Sequence, residues 1–151
     1  MRTVWRLCGA RHSSTAMGGE GARLYGGRWN AKGTPLVYCS STLSLAVLEV
    51  LVHAASLPAN FVAIQIDIPD EVTIDAWPLS SLPSGWQAMP APVQLARMGT
   101  RWAHGLGAVA LEVPSAIVEV ETNVLINPAH PEASRLVVHS ARAFPFDPRL
   151  A

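Results

Sequence analysis

From Leu45 to Val52 every residue is apolar except Glu49. Ser41 and Thr42 stand before this run as N-cap candidates and Pro58 follows it as a stop signal, so the pattern predicts a helix from about Leu43 to Ala55. A helix that is apolar nearly all round has to be covered on most sides. The rest of the chain must supply those covering layers, and it must also accommodate a carboxylate on a greasy surface. A buried carboxylate without a partner costs several kcal/mol or takes up a proton. Glu49 therefore needs a cation or a donor beside it, or it lines a cleft. The one ionisable residue at helical spacing is His53, at i+4. Two readings follow: a structural Glu49–His53 pair or solvated helix edge, and a functional carboxylate.

The covering layers read mostly as short strands. Phe61 to Ile68 alternates, with Phe61, Ala63, Gln65 and Asp67 opposed to Val62, Ile64, Ile66 and Ile68, the pattern of a half-buried strand. Val4–Leu7, Leu36–Cys39, Val72–Ile74, Ala108–Val113, Ile117–Val120, Val124–Ile126 and Leu136–Val138 are further strand candidates. In the first of these, Arg6 faces opposite to Trp5 and Leu7. Val93–His104 reads as a second helix with Gly105 as its C-cap. Gly9 to Gly27 holds six glycines and no apolar periodicity, which predicts a loop, and Pro78–Pro92 is a proline-rich loop around Trp86. The length of 151 residues suits one domain, and strands that do not alternate strictly with helices predict a mixed α+β fold. A dinucleotide-binding Rossmann unit is not expected, because Gly19-Glu20-Gly21 lacks the preceding strand and the following helix that the fingerprint needs.

The glycine-rich stretch ends in Gly26-Gly27-Arg28-Trp29-Asn30. Glycines let backbone approach a ligand closely, and their successive N–H groups can form an anion nest. A guanidinium beside such a nest suits a diphosphate through bidentate bonding, while a structural Arg–carboxylate pair beside a tight turn is the plainer alternative. Tyr38 lies on the strand just before the Glu49 helix, where it either stacks on a ligand ring or packs in the core; Tyr25, three residues before Arg28, poses the same choice. Ser115 follows a proline at the end of a strand; with no GxSxG elbow and no neighbouring His, a hydrogen-bonding role suits it better than a nucleophilic one. Together these residues read as a nucleotide-handling site with an anion clamp, an aromatic and a carboxylate.

Composition removes several classes. Eleven basic residues balance eleven acidic ones, which argues against a protein that grips nucleic acid directly. Cys8 and Cys39 form no CxxC pair and read as buried reduced thiols. The five histidines form no HxH, HExxH or Cys/His set, so no metal site is expected. The N-terminus lacks an apolar leader, and no apolar run approaches the roughly 20 residues of a bilayer span, so the expected compartment is the cytoplasm, away from membranes.

The segments Gly21–Asn30, Gly33-Thr34-Pro35 with Tyr38, Ala46–Val50, Val113–Ala116, and Asn123 with Leu125–Pro128 and His130 together resemble the RES-domain family. That family comprises toxins of bacterial type II toxin–antitoxin modules whose partners are Xre-like helix-turn-helix antitoxins. The resemblance covers nearly the whole chain, residues 1–151. It implies a compact α+β domain similar to ADP-ribosyltransferase toxins, with short packed β-sheets and a few helices around an NAD cleft. The Arg, Glu and Ser of the family name would be Arg28, Glu49 and Ser115, with Ser40 and Ser134 in further matching blocks. Tyr25, Gly27, Arg28 and Tyr38 would contact NAD, and Tyr38 would join Arg28, Glu49 and Ser115 in catalysis. NAD would be a consumed substrate and not a recycled cofactor. The implied activity is cleavage of the nicotinamide–ribose bond with water or phosphate as acceptor. A protein ADP-ribosyltransferase is the alternative, and a non-catalytic binding module is the alternative from another class. The implied partners are the antitoxin, whose C-terminal segment would cover or enter the cleft near Arg28, and a second copy of the chain as a homodimer.

Overall fold

The computed structural model describes residues 1–151. Eight strands and three α-helices follow in the order β1 (Arg2–Gly9), α1 (Glu20–Tyr25), β2 (Val37–Ser40), α2 (Leu43–Leu51), β3 (Phe61–Ile68), β4 (Ile74–Ala76), α3 (Val93–Gly105), β5 (Ala110–Pro114), β6 (Thr122–Ile126), β7 (Val137–Val138) and β8 (Arg142–Phe144). The strands join in the order β4-β5-β6-β2-β1-β3-β7, with β8 also on β3. All pairings are antiparallel except β4 with β5.

The ladder is uneven, and this unevenness places the cleft. β1 and β3 are paired at eight positions, from Arg2↔Ile68 to Gly9↔Phe61. β5 and β6 are paired at five positions, and β2 and β6 at four. The central joint between β1 and β2 is the single pair Trp5↔Ser40. The sheet therefore consists of two four-stranded halves that diverge on either side of that pair.

Strand alternation sends side chains into three apolar clusters. Val4 and Cys8 of β1 and Ile64, Ile66 and Ile68 of β3 meet Val37, Cys39, Val124 and Ile126 from the other half. Residues one step along, Leu111, Val113 and Leu125, take the opposite face and are covered by Leu95 and Ala103 of α3 together with Trp29 and Trp86. α2 covers the outer face of the other half, with Ala46 and Val47 against Leu7, Ala63 and Phe146. α3 lies so close to the loop after Arg28 that a Cβ at Gly99 would stand 1.7 Å from the Trp29 carbonyl oxygen.

Several local expectations change. Thr42 caps α2 by accepting from the Leu45 N–H, but the helix ends at Leu51, short of Ala55. It is not covered all round: the sheet lies against one side of it, mainly through β1, and Leu48 and Val52 on and just beyond the helix are exposed. The glycine-rich stretch is not all loop, since it contains a 3-10 turn at Ala10–Thr15 and α1. Ile117–Val120 is not a strand. The Ser115 hydroxyl accepts from the Ile117 and Val118 N–H groups and so draws that backbone out of the ladder. Val72 sits in a turn, and the strand begins at Ile74. Leu106, not Gly105, takes the left-handed position after α3, with φ 53°. No helix is long and apolar enough to cross a membrane.

Candidate active site

Where the half-sheets part, a cavity of about 600 Å³ opens, a size typical of small-ligand sites. Five parts of the chain converge on it: Trp5 and Arg6 of β1, Tyr25 to Trp29 after α1, Tyr38 to Ser40 of β2, Glu49 and Val50 of α2, and the segment Met89–Ala91, with Ala116 and Asn123 closing one side. Tyr25, Gly27, Arg28, Tyr38 and Glu49 thus share one cavity although they come from different elements.

Glu49 is held by neutral donors from outside its own helix. Its Oε1 accepts from Ser115 Oγ at 3.0 Å and from Asn123 Nδ2 at 3.1 Å. Ser115 is fully buried, and its oxygen also accepts from the N–H groups of Ile117 and Val118, both at 3.1 Å. Its proton is committed to Glu49 and its lone pairs to the backbone, so it is not poised for attack. Asn123 is itself held by Ser40 Oγ, which donates to Asn123 Oδ1 at 2.7 Å across the β2–β6 ladder. No hydrogen bond or ion pair joins His53 to Glu49; His53 lies exposed beyond the end of α2, at the cavity rim. Ser134 sits on an exposed 3-10 turn at Pro131–Arg135, away from the cavity.

Arg28 has partners that sequence reasoning did not foresee. Its Nη1 donates to the Trp86 carbonyl at 2.7 Å and the Ala88 carbonyl at 3.1 Å, and its Nη2 contacts Met89 Sδ at 3.7 Å. The guanidinium thus ties the proline-rich loop to the cavity edge. Burial lowers its pKa, and the attraction of Glu49 opposes that shift. Trp29, wedged between Trp77 and Trp86 at ring-centroid distances of 5.9 and 6.4 Å, anchors the base of the same loop.

Tyr38 presents its ring to the cavity, while its hydroxyl is engaged behind it. The hydroxyl donates to Asn30 Oδ1 at 2.7 Å and accepts from the Trp29 N–H at 3.0 Å. Burial pushes its pKa upward and keeps the phenol neutral. Gly27 is explained by this contact, because a Cβ there would stand 2.6 Å from the Tyr38 hydroxyl. Tyr25 is 78% exposed and stands at the cavity mouth.

Arg6 is the lining residue that the sequence reading passed over. Its Nη1 donates to the Tyr38 carbonyl at 3.1 Å, and its Nε is buried with no hydrogen-bond partner. The guanidinium thus brings a positive charge to the cavity wall. On the strand face shared by Arg2, Val4, Arg6 and Cys8, Arg2 is paired with Glu112, whereas Arg6 has no carboxylate partner. Both cysteines are free and buried, and burial pushes the Cys39 thiol up to about 12, so neither supplies a thiolate.

The chain is similar to known proteins over nearly its whole length. The RES domain model matches residues 3–147. A Sphingobium sp. (strain YBL2) protein called "Prs ADP-ribosylating toxin" is 40% identical over 154 residues, covering 98% of this chain and 96% of that one. A Photorhabdus laumondii protein called "Toxin Res" is 42% identical over 127 residues, covering 83% of this chain and 81% of that one. In fold, the chain is similar to one in the crystal structure of the M. tuberculosis MbcT-MbcA toxin-antitoxin complex. That match has a TM-score of 0.69 and 19% identity, and it covers 95% of this chain and 84% of the other.

Proposed function

The chain belongs to the RES domain family, and from that premise we propose that it is the toxin of a toxin–antitoxin pair and cleaves the nicotinamide–ribose bond of NAD. The observation that carries the proposal is the Glu49 carboxylate, with Oε1 fixed by Ser115 and Asn123 and no protein donor on Oε2, in a cavity that Arg6 and Arg28 also line. In this reading the diphosphate lies against Arg6 and Arg28, the nicotinamide against the Tyr38 ring, and the ribose against Glu49. Cleavage passes through an oxocarbenium-like state. The C1′–N bond breaks with its electron pair leaving on nicotinamide. Glu49 stabilises the positive charge on the ribose and holds a ribose hydroxyl. An acceptor oxygen then bonds to C1′ and gives up its proton. NAD is consumed, so no cofactor is recycled.

The acceptor is water or phosphate in the leading form of the proposal. The name of the Sphingobium relative, 40% identical over nearly the whole chain, favours a second form in which the acceptor is a side chain of another protein. Both forms act on the cell's own NAD in the cytoplasm and require a restraining partner. We assign that role to an Xre-like helix-turn-helix antitoxin whose C-terminal segment enters the cavity. Apolar residues at the mouth, Tyr25 at 78% and Met89 at 69% exposure, suit such a segment. A homodimer of the chain is compatible with this arrangement, and DNA contact belongs to the antitoxin.

The test incubates purified, antitoxin-free protein with NAD in the presence and absence of phosphate and cell lysate. Mass spectrometry should detect nicotinamide together with ADP-ribose, its phosphate, or a protein heavier by one ADP-ribosyl group, and the product identifies the acceptor. No nicotinamide release under any condition leaves only the binding-module reading.

A further inference from the structure

Glu49 is aimed by a relay that starts on the opposite edge of the cavity. Ser40 and Asn123 face each other across the β2–β6 ladder, and Ser40 is 3% exposed. The Ser40 hydroxyl donates to Asn123 Oδ1 at 2.7 Å, so that amide oxygen is an acceptor and the other end of the amide must be the NH₂ group. That NH₂ is the donor 3.1 Å from Glu49 Oε1. The Glu49 carboxylate can only accept, so it sets which way round the amide sits; Ser40 then holds the far end of the amide, and the amide fixes which carboxylate oxygen is occupied.

Ser115 donates to the same oxygen at 3.0 Å. Two donors from two strand ends converge on Oε1 and leave Oε2 without a hydrogen-bond partner, on a residue that lines the cavity. A single donor would let the carboxylate swing about the terminal torsion, which is broad for Glu. Two donors to one oxygen select one orientation.

We infer that Asn123, held in place by Ser40, is a positioning residue for the reaction: it acts through Glu49 to hold the carboxylate where the ribosyl charge develops. This inference rests on the function proposed above. It predicts loss of turnover with retained substrate binding, because the affected interaction strengthens in the transition state.

The discriminating variant is Asn123→Asp. Its shape and its acceptor for Ser40 are kept, while the donor facing Glu49 becomes an acceptor with charge of the same sign. The expected outcome is a fall in kcat of about 10-fold or more, with KM for NAD changed by less than about three-fold. Ser40→Ala, which removes the bond that holds the far end of the amide and lets the side chain drift, should lower kcat by a smaller factor, and Ser40→Thr, which restores a hydroxyl, should recover most of it. Each variant is purified free of antitoxin, its folding checked by circular dichroism, and its NAD turnover followed by nicotinamide release. A folded Asn123→Asp or Ser40→Ala protein with wild-type kcat overturns the inference and leaves the proposed function standing. If Asn123→Asp does not fold, the Ser40→Ala and Ser40→Thr pair decides alone. A wild-type protein that releases no nicotinamide overturns the proposed function and this inference with it.

Discussion

Replacing Glu49 by Gln separates the charge of this side chain from its shape. Gln keeps an oxygen that can accept from Ser115 Oγ and Asn123 Nδ2, the two bonds that hold the native side chain. Its NH₂ replaces Oε2, which no protein group contacts, so folding has little reason to suffer. What disappears is a negative charge beside the developing oxocarbenium. Two unit charges about 4 Å apart interact by about 4 kcal/mol at an effective dielectric constant of about 20. The ribosyl charge is fractional in the transition state and the cavity is open to water on one side, so about 2–3 kcal/mol is the reasonable share. That corresponds to a kcat lower by about 30- to 150-fold. KM should move by much less, since the interaction belongs to the transition state. The assay is nicotinamide release at saturating and sub-saturating NAD, paired with thermal unfolding of the same preparation. A Glu49→Gln protein that unfolds like wild type and retains kcat within about three-fold refutes the electrostatic role.

Three further outcomes follow from other parts of the fold. Arg28→Lys keeps a charge, but a shorter side chain with one nitrogen cannot hold the Trp86 and Ala88 carbonyls and still present a second nitrogen to a ligand, so KM for NAD should rise by about 10-fold with increased protease cutting in residues 83–92; full activity and an unchanged cleavage pattern would remove Arg28 from the site. Gly99→Ala forces α3 off the Trp29 carbonyl, since the new Cβ would sit 1.7 Å from it; a loss of about 3 kcal/mol, or about 6–12 °C in Tm, should be seen by calorimetry. Asp67 is held down to about 2 by hydrogen bonds from His139, Thr3 and Gln65. A carboxylate depressed below its unfolded value of about 3.9 adds stability above that pH and loses it as pH falls towards 2. Tm measured from pH 5 to pH 2 should therefore fall more steeply in wild type than in Asp67→Asn; parallel curves would contradict the assignment.

The chain announced its elements more clearly than their lengths. Phe61–Ile68 was legible to the residue because its alternation is strict and both neighbours are strands. The α2 helix was legible in position but not in burial, since local pattern reports how apolar a helix is and not how many sides the tertiary structure covers. β8 carries Arg142 and Ala143, both exposed, and owes its strand form to pairing with β3, which no local signal announces. In the site, the cavity brings together Arg28, Tyr38 and Glu49, which the motif blocks singled out, and Ser115 bonds directly to Glu49. The partners of each were hidden because they are distant in sequence: Trp86 lies 58 residues from Arg28, and Asn123 lies 74 from Glu49. Arg6 was visible as a cation opposite to Trp5 and Leu7 on the first strand, but its meaning depends on the sheet parting beside it.

The single rung between β1 and β2 makes the cavity a stretch of sheet left unzipped. With Trp5↔Ser40 as their only paired position, the two strands leave a gap in the backbone ladder, and each carries a wall of the site: Arg6 on one side, Tyr38 on the other. Side chains span that gap: the Arg6 guanidinium on the Tyr38 carbonyl, the Arg2–Glu112 ion pair, and the apolar cluster to which both halves contribute. The distance between the walls is therefore set by how those side chains pack and not by strand pairing.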